Sequence, residues 1–284
     1  MFIKIGVETI PPLTVAGGRL VIAAALLVVY ALSTGARIPG DARSWGAFLF
    51  IGFFGNALPF SLISFGEQFI DSMLAAILMG VMPLATVLLA HLFVPEEPFT
   101  RRRGWGIACG FSGLVILVGW QALAGLGAAV VAQLAVLGGA ISYAITTVFT
   151  RRYVRLPGRV MAAGATLTGA LWVAPLALYF EQPWQLAPTL KSVAAVIELG
   201  LLPTALATLI YFRLVPAVGA TAFAQINYLV PIFGVGWGTL FLAEQPSWRA
   251  LCALLLVLIG IALVNRAPSA NDARRGDALH GRQN

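Results

Sequence analysis

Charge is what this chain has least of. Only 10% of its 284 residues are Asp, Glu, Lys or Arg while 60% are hydrophobic, whereas about a quarter of a soluble domain is charged. A soluble globular fold and a disordered chain are both excluded. Cysteine and histidine are almost missing, with two of each. Cys109 and Cys252 fall in apolar runs, where a thiol behaves as a small hydrophobe, so neither a disulfide nor a metal site is expected. No charged n-region, apolar h-region and cleavage site open the chain, so no signal peptide is expected. Enzyme signatures are missing too: there is no H-E-x-x-H, no Gly-x-Ser-x-Gly and no paired-cysteine motif. Gly234-Val-Gly-Trp-Gly has a dinucleotide flavour but lies mid-run with no strand before it, which makes it packing. No enzyme activity, no cofactor and no metal are expected.

What is present in quantity is long apolar sequence. A bilayer span needs about 20 mostly apolar residues. Such segments occur at 12–33, 46–66, 72–94, 104–121, 128–149, 160–180, 193–215, 219–242 and 249–265. Backbone groups in lipid must be satisfied within their own segment, so these are helices and the fold is an all-α integral membrane protein. The net charge of +7 is distributed by link rather than as a nucleic-acid patch. Arg37 and Arg43, Arg101–Arg103, the four arginines from Arg151 to Arg159, Arg213, and Arg266, Arg274, Arg275 and Arg282 occupy every second link and the tail. The alternate links hold only Lys4, Lys191 and Arg249. Positive residues mark the cytoplasmic side, so the Arg-bearing links and the C-terminus are expected there.

A period runs through the apolar segments. The stretch AILMGVMPLATVLLAHLFVPEEP from Ala76 lies on AQINYLVPIFGVGWGTLFLAEQP from Ala224 at an offset of 148 residues. Pro83 then meets Pro231, Glu96 meets Glu244, Pro98 meets Pro246 and Gly52 meets Gly200. Beyond the Glu-x-Pro the register slips by one, and Gly113 meets Gly260. A shared period of this length reads as two copies of one design. The first repeat takes residues 1–121, the second 122–265, and 266–284 is expected to be a disordered cytoplasmic tail. Five spans per copy is an odd number, so the second copy enters the membrane inverted. That is an architecture of secondary transporters, with substrate at mid-membrane between the repeats. The offset places the counterpart of 128–149 before Met1, and MFIK would be the end of a first helix. Ten helices, nine of them complete here, is the expectation.

Polar and breaking residues at mid-span depth then mark a lining. Segment 46–66 offers Asn56 and Pro59; its counterpart offers Pro203, Thr204, Thr208 and Tyr211. Met79, Met82, Pro83 and Thr86 share one face of 72–94, and Asn227, Val230, Pro231 and Gly234 share the matching face of 219–242. Tyr143 in 128–149 and Trp172 in 160–180 complete the candidate substrate-binding set. Prolines interrupt the helix ladder and supply hinges. Gly106-x-x-x-Gly110 and Gly234-x-x-x-Gly238 mark close helix approaches, with packing inside the chain favoured over packing between two chains.

Charges inside the membrane are costly and functional by default. Arg19 is the basic group well within a span. A structural pair with Glu67, at the end of the neighbouring span, is the simpler expectation, and a contact with a substrate carboxylate is the sharper one. Glu198 reaches the interface. An imidazole can shuttle protons, which makes His91 a coupling candidate, although a lone His near an interface is more commonly a structural hydrogen-bonding residue.

FIKIGVETIPPLTVAGGRL at 2–20, the two Pro-to-Glu-x-Pro stretches and the closing GIALVN after Arg249 resemble the EamA branch of the drug/metabolite transporter superfamily, with YddG-type amino-acid exporters the nearest likeness. The resemblance implies ten helices in two inverted repeats, a bacterial inner-membrane location and export of small metabolites. Amino acids, aromatic or otherwise apolar, are the expected substrates, moved by alternating access. The expected partners are a small-molecule substrate and the lipid bilayer, with no nucleic acid and the chain acting as a monomer. A sugar-phosphate or nucleotide-sugar exchanger would need cationic groups in its cavity, since a buried anion must be paired. A membrane-embedded enzyme would need a polar catalytic cluster at one interface.

Overall fold

The computed structural model describes residues 1–93, 100–123, 127–210 and 226–265, without the side chains of 119–123 and 226–228. The described residues are helical, with no strand among them. They form α1 (Phe2–Gly6), α2 (Pro12–Ser33), α3 (Ala42–Phe69), α4 (Ser72–Phe93), α5 (Arg101–Leu123), α6 (Ala128–Tyr153), α7 (Gly158–Glu181), α8 (Leu190–Ile210), α9 (Ile226–Leu242) and α10 (Trp248–Asn265). Seven of them, α2, α3, α4, α6, α7, α8 and α10, are long and apolar enough to cross a membrane. This is a multi-pass membrane protein. The expected span 104–121 lies within α5, which opens on three arginines, and α9 contains the described part of 219–242. The end of 193–215, Glu96, Pro98, Arg213 and the tail from Arg266 lie outside the described residues.

Short links force neighbouring helices to run antiparallel, and hydrogen bonds show which ends meet. At one end of the bundle Thr9 meets Thr189 at 3.4 Å, and Ser192 donates to the Ile5 carbonyl at 2.8 Å. Lys4 Nζ donates to the carbonyls of Glu67 and Ile70, both at 2.8 Å, closing the C-terminus of α3. Two carboxylates close helix N-termini there. Glu181, ending α7, accepts from the backbone N–H groups of Leu13 and Thr14 at 3.0 and 2.6 Å. Glu244, just past α9, accepts from those of Ser72 and Met73, both at 2.8 Å. Each acceptor satisfies orphan donors and faces the positive end of a helix dipole. The exposed Lys191–Glu8 pair at 3.6 Å also lies at this end; screened by water, it contributes about 0–1 kcal/mol.

The opposite end carries the links 34–41 and 154–157. Asp41 caps α3 by accepting from the Ser44 N–H at 2.8 Å and its hydroxyl at 2.9 Å. Those two bonds hold the Asp41 carboxyl below its ordinary value.

Packing depends on small residues. α5 and α10 approach so closely that a Cβ on Gly260 would stand 2.7 Å from the Gly106 carbonyl and 2.9 Å from the Gly110 nitrogen. The Gly106-x-x-x-Gly110 stripe therefore packs inside the chain, as expected. Backbone cannot move aside as a side-chain tip can. Gly260→Val is expected to cost about 1–3 kcal/mol, visible as a lowered unfolding temperature in detergent. α3 and α7 meet at Gly52, where a Cβ would fall 2.7 Å from the Gly169 nitrogen, and α2 and α8 meet at Gly200, 2.8 Å from Ile22 Cβ. The α3–α7 contact is fastened by Thr168, whose hydroxyl donates to the Phe48 carbonyl at 2.6 Å.

Three helices are interrupted mid-span, and α7 ends in a further π-turn at Ala177–Glu181, just after Pro175. α3 and α8 widen into π-turns at Phe53–Ala57 and Gly200–Leu206. α4 breaks at Gly80 between Ser72–Met79 and Val81–Phe93. Proline explains all three locally, because it has no N–H for the carbonyl four residues back. Pro59 leaves Gly55, Pro83 leaves Met79 and Pro203 leaves Leu199 without that partner.

Candidate functional site

The carbonyl that Pro203 abandons begins a chain of contacts into the bundle. Leu199 O accepts instead from the Thr204 hydroxyl at 2.8 Å. Thr204 Oγ1 in turn accepts from Arg19 Nε at 3.0 Å and from Nη2 at 2.8 Å. The guanidinium lies 3.7 Å above the centre of the Phe60 ring, a cation–π contact. Phe60 meets Tyr143 edge to face at 6.3 Å. Arg19 is 6% exposed, so α2, α3, α6 and α8 together seal one cation.

The expected Arg19–Glu67 pair is not made. Arg19 lies seven residues into α2, about 10 Å deep at 1.5 Å per residue. Glu67 stands two residues from the end of α3, about 3 Å deep. The guanidinium turns across to α8 at its own level. Glu67 remains buried, and one carboxylate oxygen has no hydrogen-bond partner. Glu198 is only partly buried and likewise keeps one unpartnered carboxylate oxygen.

Beside Tyr143 lies a cavity of about 210 Å³, lined by Met79, Gly80, Met82, Pro83, Tyr143 and Val230. Four of the candidate binding residues meet here, from α4 and α6, with α9 supplying the far wall. The break falls on a glycine for want of room: a Cβ there would stand 3.0 Å from the Ile77 carbonyl and closer still to Val257. The lining is thioether, proline ring and phenol, soft surfaces that adapt to flat or branched apolar groups. A second depression of about 210 Å³, lined by Arg43, Ser44, Tyr153 and Arg155 among others, lies at the Arg-bearing end. It lies between the first turn of α3 and the end of α6 with the link that follows, and the transmembrane cavity is the candidate site.

The other expected residues divide. Pro231 is buried one residue from Val230. Pro59 is buried beside Phe60, and Asn56 Nδ2 donates to the Ala165 carbonyl of α7 at 3.0 Å. Thr208 donates to the Thr204 carbonyl at 2.5 Å. Asn56 and Thr208 are thus bound to backbone and do not line the cavity. Trp172 faces outward, 43% exposed, against Phe53 at 5.3 Å. His91 is exposed in the last turn of α4, remote from the cavity. Tyr211 and the Asn227 side chain lie outside the described residues. Phe60 is the member that sequence reading missed; the signal was an unpaired arginine in a span, which calls for a ring as readily as for a carboxylate.

A family model described as the EamA-like transporter family matches the chain twice, over residues 1–119 and 130–266. The chain is 30% identical over 272 residues to the uncharacterised inner membrane transporter YedA of Escherichia coli, covering 92% of this chain and 85% of that protein. It is 26% identical over 265 residues to a probable terminal-alkyne amino-acid exporter of Streptantibioticus cattleyicolor, covering 93% and 87%. One crystal structure superposes with a TM-score of 0.66 at 23% identity, covering 96% of this chain and 91% of that one, a likeness of fold.

Proposed function

Because the chain belongs to the EamA-like transporter family, we propose that it exports a small metabolite, an amino acid with an apolar side chain foremost, through the Met79–Tyr143 cavity by alternating access. The cavity carries the reading: a hollow of about 210 Å³ walled by α4, α6 and α9, of which α4 and α6 are long and apolar enough to cross a membrane. Its lining offers no cation for a phosphate, which disfavours a sugar-phosphate or nucleotide-sugar cargo. The name of the Streptantibioticus relative supports the amino-acid class. Both YedA and that relative are named for transport rather than catalysis.

Two inverted five-helix repeats account for the movement. Supporting this, the family model matches each half once. The π-turns of α3 and α8 coincide under the 148-residue offset, as do the close-contact glycines Gly52 and Gly200. Asn56 and Thr204, also one offset apart, each bond to the neighbouring helix of the other half, α7 and α2. In this reading the Arg-bearing end faces the cytoplasm of a bacterial cell, and the Glu181–Glu244 end faces outward. The broken α3, α4 and α8 are the hinges, since bonds already missing from a ladder need not be broken to bend it.

Met82→Trp tests the site, because an indole would occupy most of the cavity. Export of an accumulated amino-acid panel from cells, and uptake into inverted vesicles, should fall at least tenfold with unchanged membrane yield. Unchanged transport with the cavity filled would place the pathway elsewhere.

A further inference from the structure

The depression at the Arg-bearing end of the bundle brings two cations to one hollow of about 210 Å³. Arg43 and Ser44 line it from the first turn of α3, Tyr153 from the end of α6, and Arg155 from the link that follows. A guanidinium carries five N–H donors in a planar fork. Arg155 commits only Nη1, which donates to the Arg151 and Val154 carbonyls at 3.2 Å each. Arg43 makes no hydrogen bond, and neither arginine forms an ion pair, among the described residues. The acid nearest in sequence is Asp41, and its carboxylate is occupied by the Ser44 N–H and hydroxyl. Arg43 attracts that carboxylate without pairing with it. The donors left over at this hollow therefore belong to the two guanidiniums.

A row of rings leads out of the hollow into the depth of the membrane. Tyr153, on its wall, meets Phe149 at 5.2 Å. Phe149 stacks on Phe50 of α3 at 4.1 Å, and Phe50 meets Phe54 at 4.7 Å. Phe53 then carries the row to Trp172 of α7 at 5.3 Å. Every ring in it is half-buried or exposed. Phe54 stands twelve residues into α3 and Trp172 fourteen into α7, both counted from the Arg-bearing end. At 1.5 Å per residue those depths are about 18 and 21 Å, and one leaflet contributes about 15 Å of hydrocarbon. The row thus crosses a leaflet from the headgroup level down. A phosphate diester suits two guanidinium forks, and basic pockets between membrane helices hold acidic lipid heads. We infer that this groove binds one anionic glycerophospholipid, its phosphate between Arg43 and Arg155 and an acyl chain along Tyr153, Phe149, Phe50 and Phe54. Such a lipid ties the start of α3 to the end of α6. Its seat is separate from the Met79–Tyr143 cavity, and it does not depend on what that cavity carries.

The purified full chain, stripped of lipid in a neutral detergent, tests this with four probes: dioleoyl phosphatidylglycerol, dioleoyl phosphatidylcholine, glycerol 3-phosphate and inorganic phosphate. Native mass spectrometry reads binding, and the unfolding temperature reads its effect. Phosphatidylglycerol should bind roughly tenfold or more tightly than phosphatidylcholine, the value of one charged hydrogen bond, and raise the unfolding temperature. Arg43→Gln combined with Arg155→Gln should remove that preference. Arg101→Gln combined with Arg102→Gln takes the same charge from another link and should leave the affinity within about twofold. Absence of a preference for phosphatidylglycerol in the wild type overturns the site, whatever the variants do. So does an affinity that survives loss of Arg43 and Arg155, or one that falls equally with Arg101 and Arg102, which would be general surface charge. Glycerol 3-phosphate or inorganic phosphate binding as tightly as the lipid would make the hollow a seat for a soluble phosphate and overturn the lipid assignment.

Discussion

Replacing Glu244 by alanine is expected to open the Glu181–Glu244 end of the bundle. Its carboxylate takes both N–H groups that begin α4, at 2.8 Å each, and it sits just past α9. Bonds to a charged group contribute about 1.5–3 kcal/mol apiece, and a carboxylate at a helix N-terminus gains about 0.3–1 kcal/mol more from the dipole. Loss of one such bond's worth shifts a closed-to-open equilibrium at least tenfold. Met73 reports it: the residue is 3% exposed, and its Cβ lies 3.2 Å from where Gly238 would carry one. In a chain with Cys109 and Cys252 replaced by alanine, a cysteine at Met73 should react with a maleimide at least tenfold faster when Glu244→Ala is added. Glu181→Ala should add to the effect, because it frees Leu13 and Thr14 in the same way. Lys191→Ala should leave the rate unchanged, since its partner pair is exposed and screened. Equal labelling with and without Glu244 would show that packing alone shuts this end.

Thr204→Val should be the most destabilising isosteric change in the second half. The hydroxyl accepts two bonds from Arg19 and donates one to the Leu199 carbonyl that Pro203 left free. Valine has the same shape but strands a buried guanidinium, while the Leu199 carbonyl keeps the backbone bond of the π-turn. Bonds to the charged group at about 1.5–3 kcal/mol each put the cost near 3–5 kcal/mol. Unfolding in detergent should shift accordingly, and transport should fall with it. Thr204→Ser, which keeps the oxygen, should recover most of both. Wild-type stability in the valine variant would mean that Arg19 had found another acceptor.

The sequence by itself determined the class and most of the helices, because a membrane leaves few choices. Backbone groups must pair locally, so about 20 apolar residues in a row mean one helix wherever the chain goes. The span 12–33 coincides with α2, and 72–94 ends one residue from α4. The breaks were legible for the same local reason: a missing proline N–H is a property of the residue. Four lining residues, Met79, Met82, Pro83 and Tyr143, were readable from their depth and helical face. Partner choice was not. Arg19 reaches Thr204 instead of Glu67 because α2 and α8 cross at Gly200 and bring those two levels together, which neither helix's period records. Asn56 and Trp172 have the depth of lining residues, yet rotation of α3 and α7 about their axes gives one to a backbone carbonyl and the other to the outer surface. The Gly106 stripe announced a close approach without naming the helix approached; only packing, with α10 offering its own glycine, decided that. Depth and local chemistry are written along one helix, whereas rotation and register belong to pairs of helices and are settled by which side chains fit.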